Sequence, residues 1–204
     1  MPKISDEKRV ARRLQILEAA WTCFDAQGLH ATTMSDIIRV SGLSAGAVYS
    51  YFPSKDELIL SAVSTSLSGL SGRVEPIFSA NPPPPPDLFI RQVCETIALF
   101  TVREGYDLRR LALLGWSEAQ RNEKLRATMR GFYLAFRERL ADLAARWQRD
   151  GMLGNDASTP DVAKTMLAII LGYVVQFGIL GDVAPPDLAR GLRDLAGQGQ
   201  TDAA

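Results

Sequence analysis

The sequence predicts an all-α protein, and three observations carry that prediction. Apolar residues recur at steps of three and four along most of the chain, the period of a helix with one buried face. Runs alternating apolar and polar residues, the mark of a half-buried strand, are nearly absent. Residues 32–58 read as two short helices joined by a tight glycine turn, with a third helix capped directly after. The expected architecture is an N-terminal three-helix helix-turn-helix head over 1–55, joined by a long fourth helix to a helical body over 56–204.

Helix one is expected after Ser5, where Asp6 and Glu7 suit its positive end. Val10, Leu14, Leu17, Trp21 and Phe24 then step by four and three, giving one stripe to bury before Gly28 ends the helix. Thr33 and Asp36 have capping-box spacing for helix two, and Ser54 and Glu57 repeat it for helix four. Gly42 falls where the turn needs a left-handed backbone, which glycine adopts without a Cβ penalty. Ile37, Ile38, Leu43, Val48 and Phe52 are the apolar residues expected to lock helix two against helix three. Pro53 separates helices three and four. The period continues through Leu58, Ile59, Val63, Leu67, Leu70, Val74 and Ile77, so helix four is long, weakened near its end by Gly69 and Gly72.

Asn81 precedes five prolines, 82–86. Proline has no amide donor, so a stiff extended stretch of about 15 Å is expected there, with a proline-rich partner ligand as the alternative. Asp87 can cap a helix to about residue 103, Gly105 breaks it, and another helix is expected over about 107–120. Leu125, Met129, Phe132, Phe136, Leu140, Leu143 and Trp147 mark a long helix that stops at Asp150-Gly151. Pro160 suits the first position of the next helix, which is so apolar that burial on nearly every face is expected. Pro185-Pro186 opens a last short helix before a Gly/Gln-rich tail expected to be disordered.

Apolar residues make up 47% of the 204, enough for a sizeable core, while the formal net charge is zero. Zero net charge argues against a generally basic nucleic-acid binder, so local charge decides. Residues 1–13 carry Lys3, Lys8, Arg9, Arg12 and Arg13 against Asp6 and Glu7, and basic and acidic residues balance after residue 60. Cys23 and Cys94, in no metal-ligand spacing, and His30 as the single histidine exclude a usual zinc site, and no metal or cofactor is expected. With one histidine, no glycine-rich phosphate loop and no paired carboxylates in an evident cleft motif, an enzyme is not expected either. The charged N-terminus lacks an apolar signal core. Residues 165–180 form an apolar run of 16, short of the ~20 that cross a bilayer. A cytoplasmic protein with no membrane partner is expected.

Once Ile37, Ile38, Leu43, Val48 and Phe52 are assigned to packing, Ser44, Ala45, Gly46, Ala47, Tyr49, Ser50 and Tyr51 remain to be exposed on helix three. Small residues at its start let the backbone come close to base edges and phosphates, and the tyrosines offer hydroxyls and flat rings. Residues 10–58 closely resemble the DNA-binding head of the tetracycline-repressor (TetR) family. The resemblance is carried by Thr32-Thr33, Ser41-Gly42-Leu43-Ser44, Gly46, Val48-Tyr49-Ser50-Tyr51-Phe52 and Pro53-Ser54-Lys55-Asp56-Glu57-Leu58. It implies that Thr33 and Lys55 hold phosphates and that helix three, with Ser44, Ala45, Gly46, Tyr49, Ser50 and Tyr51, enters the major groove. Ala45 stands where the family often has Lys or a polar residue, Ala47 where Thr or Ser is common, and Ser50 where His is frequent. Affinity is therefore expected to lean on phosphates, with help from Arg12, Arg13 and the basic arm.

The same resemblance implies a body that binds a small molecule and dimerises through its last two long helices, with double-stranded DNA bearing a palindromic operator as partner. Gly172 and Gly178 suit a close helix approach. Phe100, Trp116, Met129, Tyr133, Phe136, Tyr173 and Phe177 are candidate apolar or aromatic effector contacts, with Gln176, Tyr133 and Glu118 as polar anchors. The rival reading is a helical small-molecule or lipid-binding adaptor that no longer binds DNA.

Overall fold

The computed structural model describes residues 6–103 and 105–197. Lys3 of the basic arm and the Gly/Gln-rich tail lie outside the described residues. Two compact units emerge: Met1–Leu67 with Val102–Thr128, and Ser68–Thr101 with Met129–Ala204. The fourth helix, Lys55–Ser79, contributes its first half to one unit and its second half to the other.

In the first unit, α1 (Asp6–Ala31) is interrupted at Gly28, whose φ of 79° and ψ of 167° no other residue would adopt without strain. α2 (Met34–Ser41) and α3 (Ala45–Tyr51) follow, then the start of α4. Ile16, Leu17, Ala20, Phe24, Ile37, Val48, Phe52 and Leu58 form the core, each at most 2% exposed. The apolar stripe of α1 is only partly buried: Leu17, Trp21 and Phe24 face the core, whereas Val10 is 68% and Leu14 44% exposed. The core ends one turn below them, because residues 6–15 are exposed throughout.

Residues 102–103 and 106–107 pair as a small antiparallel hairpin, β1 (Val102–Arg103) and β2 (Tyr106–Asp107), with Gly105 at φ 90° before the second strand. Two-residue strands leave no alternation to read. The Tyr106 ring packs tilted at 35° to Trp21, ring centroids 5.6 Å apart, which ties the hairpin to α1. α6 (Leu108–Glu118) starts at Asp107, whose carboxylate caps the Arg109 amide at 2.8 Å and also holds the buried Arg109 guanidinium.

In the second unit, α4 continues through Gly69, Gly72 and Pro76 to Ser79. The glycines weaken the helix without ending it. Its end is capped from α7 (Glu123–Arg149): Arg146 donates to Phe78 O at 2.7 Å and to Ala80 O. Trp147 Nε1 donates to Pro84 O at 2.7 Å, fixing the proline stretch, and α5 (Pro86–Thr101) begins on its last proline. Edge-to-face rings run from Trp147 to Phe89, Phe78 and Phe136, with centroids 5.1–5.7 Å apart.

α8 (Thr159–Ile179) and α9 (Pro185–Gly197) pack against α5, and Arg193 pairs with Asp87 at 2.7 Å. Two expectations for α8 are corrected. It is buried along one stripe only (Ala163, Met166, Ile170, Tyr173 and Val174), while Ile179 and Leu180 are 68% and 63% exposed. Nor is the apolar run confined to 16 residues: within the 21-residue helix an 18-residue stretch has a mean hydropathy of 1.8, so α8 passes the length and composition test for a membrane span. That test does not identify one, since its buried stripe lies on protein.

Candidate DNA-binding surface

Each turn of the head is fixed by a side chain. Thr33 caps α2 reciprocally: the Asp36 amide donates to Thr33 Oγ1 at 3.2 Å, and the Thr33 amide donates to Asp36 Oδ2 at 3.0 Å. The Thr33 hydroxyl also donates to Asp36 Oδ2 at 2.6 Å. These bonds from Thr33, with Arg39 at 3.5 Å, hold the Asp36 carboxyl below its ordinary pKa. Gly42 takes the left-handed conformation with φ 67° and closes the turn onto Arg39 O. Gln15 reaches from α1 to donate to Ser41 O at 2.8 Å, pinning the turn to the core. Ser44 caps α3 through the Ala47 amide at 3.3 Å.

With Val48 and Phe52 buried, α3 turns Ser44, Ala45, Gly46, Tyr49 and Ser50 outward, while Ala47 and Tyr51 are half-buried. Tyr49 is 47% exposed. Ser50 spends its hydroxyl proton on Ala47 O at 2.6 Å, so towards an external ligand it presents acceptor lone pairs. The groove face is thus small and uncharged. Exposed basic side chains stand on the neighbouring helices: Arg12 and Arg13 on α1, with the Arg13 guanidinium over the Phe52 ring at 5.3 Å, and Arg39 on α2. Arg39 and Gln15 were missed in the sequence, where Arg39 is marked only by its place in the last turn of α2.

Lys55 is half-buried at the first position of α4, and its ammonium donates to the carbonyls of Leu29, His30 and Thr32 at 3.0, 3.1 and 3.0 Å. An ammonium has three donors and no acceptor. A phosphate oxygen reaching this ammonium therefore has to displace one of these carbonyls.

The effector candidates divide between the units. Trp116 belongs to the first; Phe100, Met129, Tyr133, Phe136, Tyr173, Gln176 and Phe177 belong to the second. Phe100, Met129, Phe136 and Tyr173 are buried, Tyr133 and Phe177 half-buried, and Gln176 exposed. Tyr173 and Phe177 have centroids 6.1 Å apart; Phe132 lies 5.6 Å from Tyr133 and 6.1 Å from Phe136. Phe100 packs on the bare backbone of Gly69, and the Arg73 guanidinium covers its ring at 4.7 Å.

Two cavities of about 460 Å³ lie in the first unit, and neither is lined by any of these eight residues. One, between α1, α2 and the hairpin, is lined by Gln15, Glu18, Thr22, Ser41 and Tyr106, among others. The other includes Asp56, Glu57, Arg121 and Glu118, whose buried Oε2 lies 3.3 Å from His30 Nε2 without hydrogen-bond alignment. Among the described residues no cluster of three metal-ligating side chains occurs.

Two family models match the chain. One, described as bacterial regulatory proteins, tetR family, matches residues 16–62; the other, described as BetI-type transcriptional repressor, C-terminal, matches residues 91–195, just over half of the chain. The HTH-type transcriptional regulator UidR of Escherichia coli (strain K12) is 27% identical over 192 residues, covering 91% of each chain. Salmonella enterica GusR superposes with a TM-score of 0.73 at 22% identity, over 95% of this chain and 96% of that one. The transcriptional regulator FadR from Bacillus subtilis in complex with stearoyl-CoA superposes with a TM-score of 0.71 at 16% identity, over 89% and 96%. At such identities the two structures establish the fold. The family models and the head geometry identify the chain as a member of the tetR family of bacterial regulatory proteins, a DNA-binding transcriptional regulator and not an enzyme.

Proposed function

We propose that this regulator is a cytoplasmic repressor that binds a palindromic operator as a homodimer and is released by an apolar or aromatic small molecule. The observation that carries the DNA half is the outward face of α3. Its start is capped by Ser44, its register is set by left-handed Gly42, and its exposed surface bears Ala45, Gly46, Tyr49 and Ser50. In this reading Ser44, Ala45, Gly46, Tyr49, Ser50 and Tyr51 meet the groove, and Thr33 meets a phosphate at the start of α2. Because α3 carries no long donor, phosphates and DNA shape supply most of the affinity, with Arg12, Arg13 and Arg39 at the rim.

The partner half rests on α8. In the single chain its face through Ala168, Gly172 and Ile179 is uncovered or half-covered, and a Cβ at Gly172 meets only Gln176 at 4.0 Å. Reading two half-sites one DNA turn apart asks a two-fold dimer through α8 and α9 to present its two α3 helices about 34 Å apart. An effector held among Phe100, Met129, Tyr133, Phe136, Tyr173, Gln176 and Phe177 of the second unit favours a state whose heads are wrongly spaced. Effector and operator then weaken each other by the same factor. The stearoyl-CoA complex of FadR supports an apolar effector class on this fold.

Gel retardation with duplexes tiling the DNA around the coding region tests the reading. A sequence-selective, salt-sensitive complex is expected, together with a thermal shift on adding acyl or aromatic compounds that also dissolve the complex. No retardation at low salt favours the adaptor reading; a response to polar compounds alone removes the apolar effector.

A further inference from the structure

We infer that Lys55 is a positioning residue for the DNA-reading helices rather than a phosphate ligand, acting through the carbonyls at the end of α1. This rests on the reading of α3 as the groove helix. Gly28 breaks α1 with a left-handed backbone, so the carbonyls that follow it lose the regular helical partners that a continuing helix would supply. Three of them, on Leu29, His30 and Thr32, converge on one ammonium within 0.1 Å of each other in distance. All three donors of the Lys55 ammonium are used. The negative end of α1 is thereby neutralised by a cation, the arrangement its dipole favours.

The geometry determines what the staple positions. Thr32 is fully buried, and its hydroxyl lies 2.8 Å from Gly28 O and 3.1 Å from Cys23 O, to which it can donate, so the turn is held from inside as well. The next residue, Thr33, is the cap from which α2 starts. Lys55, at the first residue of α4, follows α3 by one tight connection at Phe52, Pro53 and Ser54. One ammonium therefore ties the residue before α2 to the residue that opens α4, closing a ring around α2, the turn and α3. Releasing it frees both ends of the helix-turn-helix while leaving the core residues Ile37, Val48 and Phe52 in place.

The test uses full-length protein carrying K55M, which keeps the stem and removes the donors, with K55Q as the second variant should K55M fold poorly. Affinity for the duplex retarded by the wild type is measured against salt, at a temperature where circular dichroism shows each variant folded. The inference expects affinity at least tenfold weaker at every salt concentration with an unchanged log–log slope. Amide exchange should also quicken at Asp36 and Ile37, which bond to Thr33 Oγ1 and Thr33 O. A slope reduced by about 0.9 makes Lys55 a phosphate ligand and overturns the inference. Unchanged affinity, with only a lower melting temperature, overturns it too. If no duplex is retarded by the wild type, the DNA reading falls by itself. Amide exchange then decides the staple, and unchanged rates at Asp36 and Ile37 refute it.

Discussion

Replacing Ile179 by Asp, alone and with L195D, is expected to split the proposed two-fold dimer while leaving the single chain folded. In the single chain Ile179 is 68%, Leu180 63% and Leu195 78% exposed, so none contributes much to its core. Fully burying one such side chain is worth roughly 1.5–3 kcal/mol, so covering the exposed two thirds or so gains about 1–2 kcal/mol each. Three side chains from each of two copies gain about 6–12 kcal/mol in gross, against an association cost of about 4–15 kcal/mol. An interface in that balance tolerates no buried carboxylate. I179D with L195D forfeits about two thirds of the gain and adds two charges per copy, which should weaken the dimer by at least about 100-fold, or ~2.8 kcal/mol. Sedimentation equilibrium over a range of concentrations reads this directly, with far-ultraviolet circular dichroism as the folding control. G172L is the complementary variant: a side chain there meets only the tip of Gln176 within one chain but blocks a close helix contact between two. If both variants remain dimers with wild-type affinity, α8 is not the interface, and the spacing argument for the operator loses its basis.

Three further outcomes follow from the geometry. G42A should cost roughly 1–2 kcal/mol, lowering the melting temperature by a few degrees, because nothing crowds the new Cβ and the penalty is the left-handed backbone alone; an unchanged melting temperature refutes it. The Asp36, Glu75 and Asp161 carboxyls are held below their ordinary pKa values by Thr33, by Ser79 and Arg139, and by Lys164 and Ser158 respectively. A lowered folded-state value means stabilisation present above the unfolded value and lost as pH falls through the folded one. Acid titration of the melting temperature should therefore drop below about pH 4, less steeply in D36N; an equal slope in D36N counts against the capping role. Burial raises the Cys23 thiol and pushes Cys94 up to about 12, so neither should react with a thiol reagent at pH 8 until the chain is unfolded. Rapid labelling of the native protein contradicts this.

The head was legible because its signals are local. Thr33 with Asp36, Gly42, and Ser54 with Glu57 each act within three or four residues; Thr33 and Asp36 form the full reciprocal box and Gly42 the left-handed turn, while of the second box the structure gives the Glu57 amide donating to Ser54 Oγ. Long-range features were not legible. The staple from Lys55 spans 23 to 26 residues, and nothing near position 55 marks which carbonyls it meets. The return of residues 102–128 to the compact unit of the head was invisible for the same reason. Its two-residue strands lack a period, and the Trp21–Tyr106 contact joins distant positions. In α8 the apolar pattern was legible, but how much of it a single chain covers was not. An all-apolar helix implies cover on every side, and a single chain supplies only one stripe of it.

The central claim is that two copies of α3 read a two-fold symmetric site. Hydroxyl-radical footprinting of the retarded duplex tests it most directly. The account predicts two protected half-sites, related by a dyad and centred about one helical turn apart, with protection lost on substituting Tyr49 and Ser50 together. A single protected segment with no dyad, or symmetric protection that survives those substitutions, contradicts it.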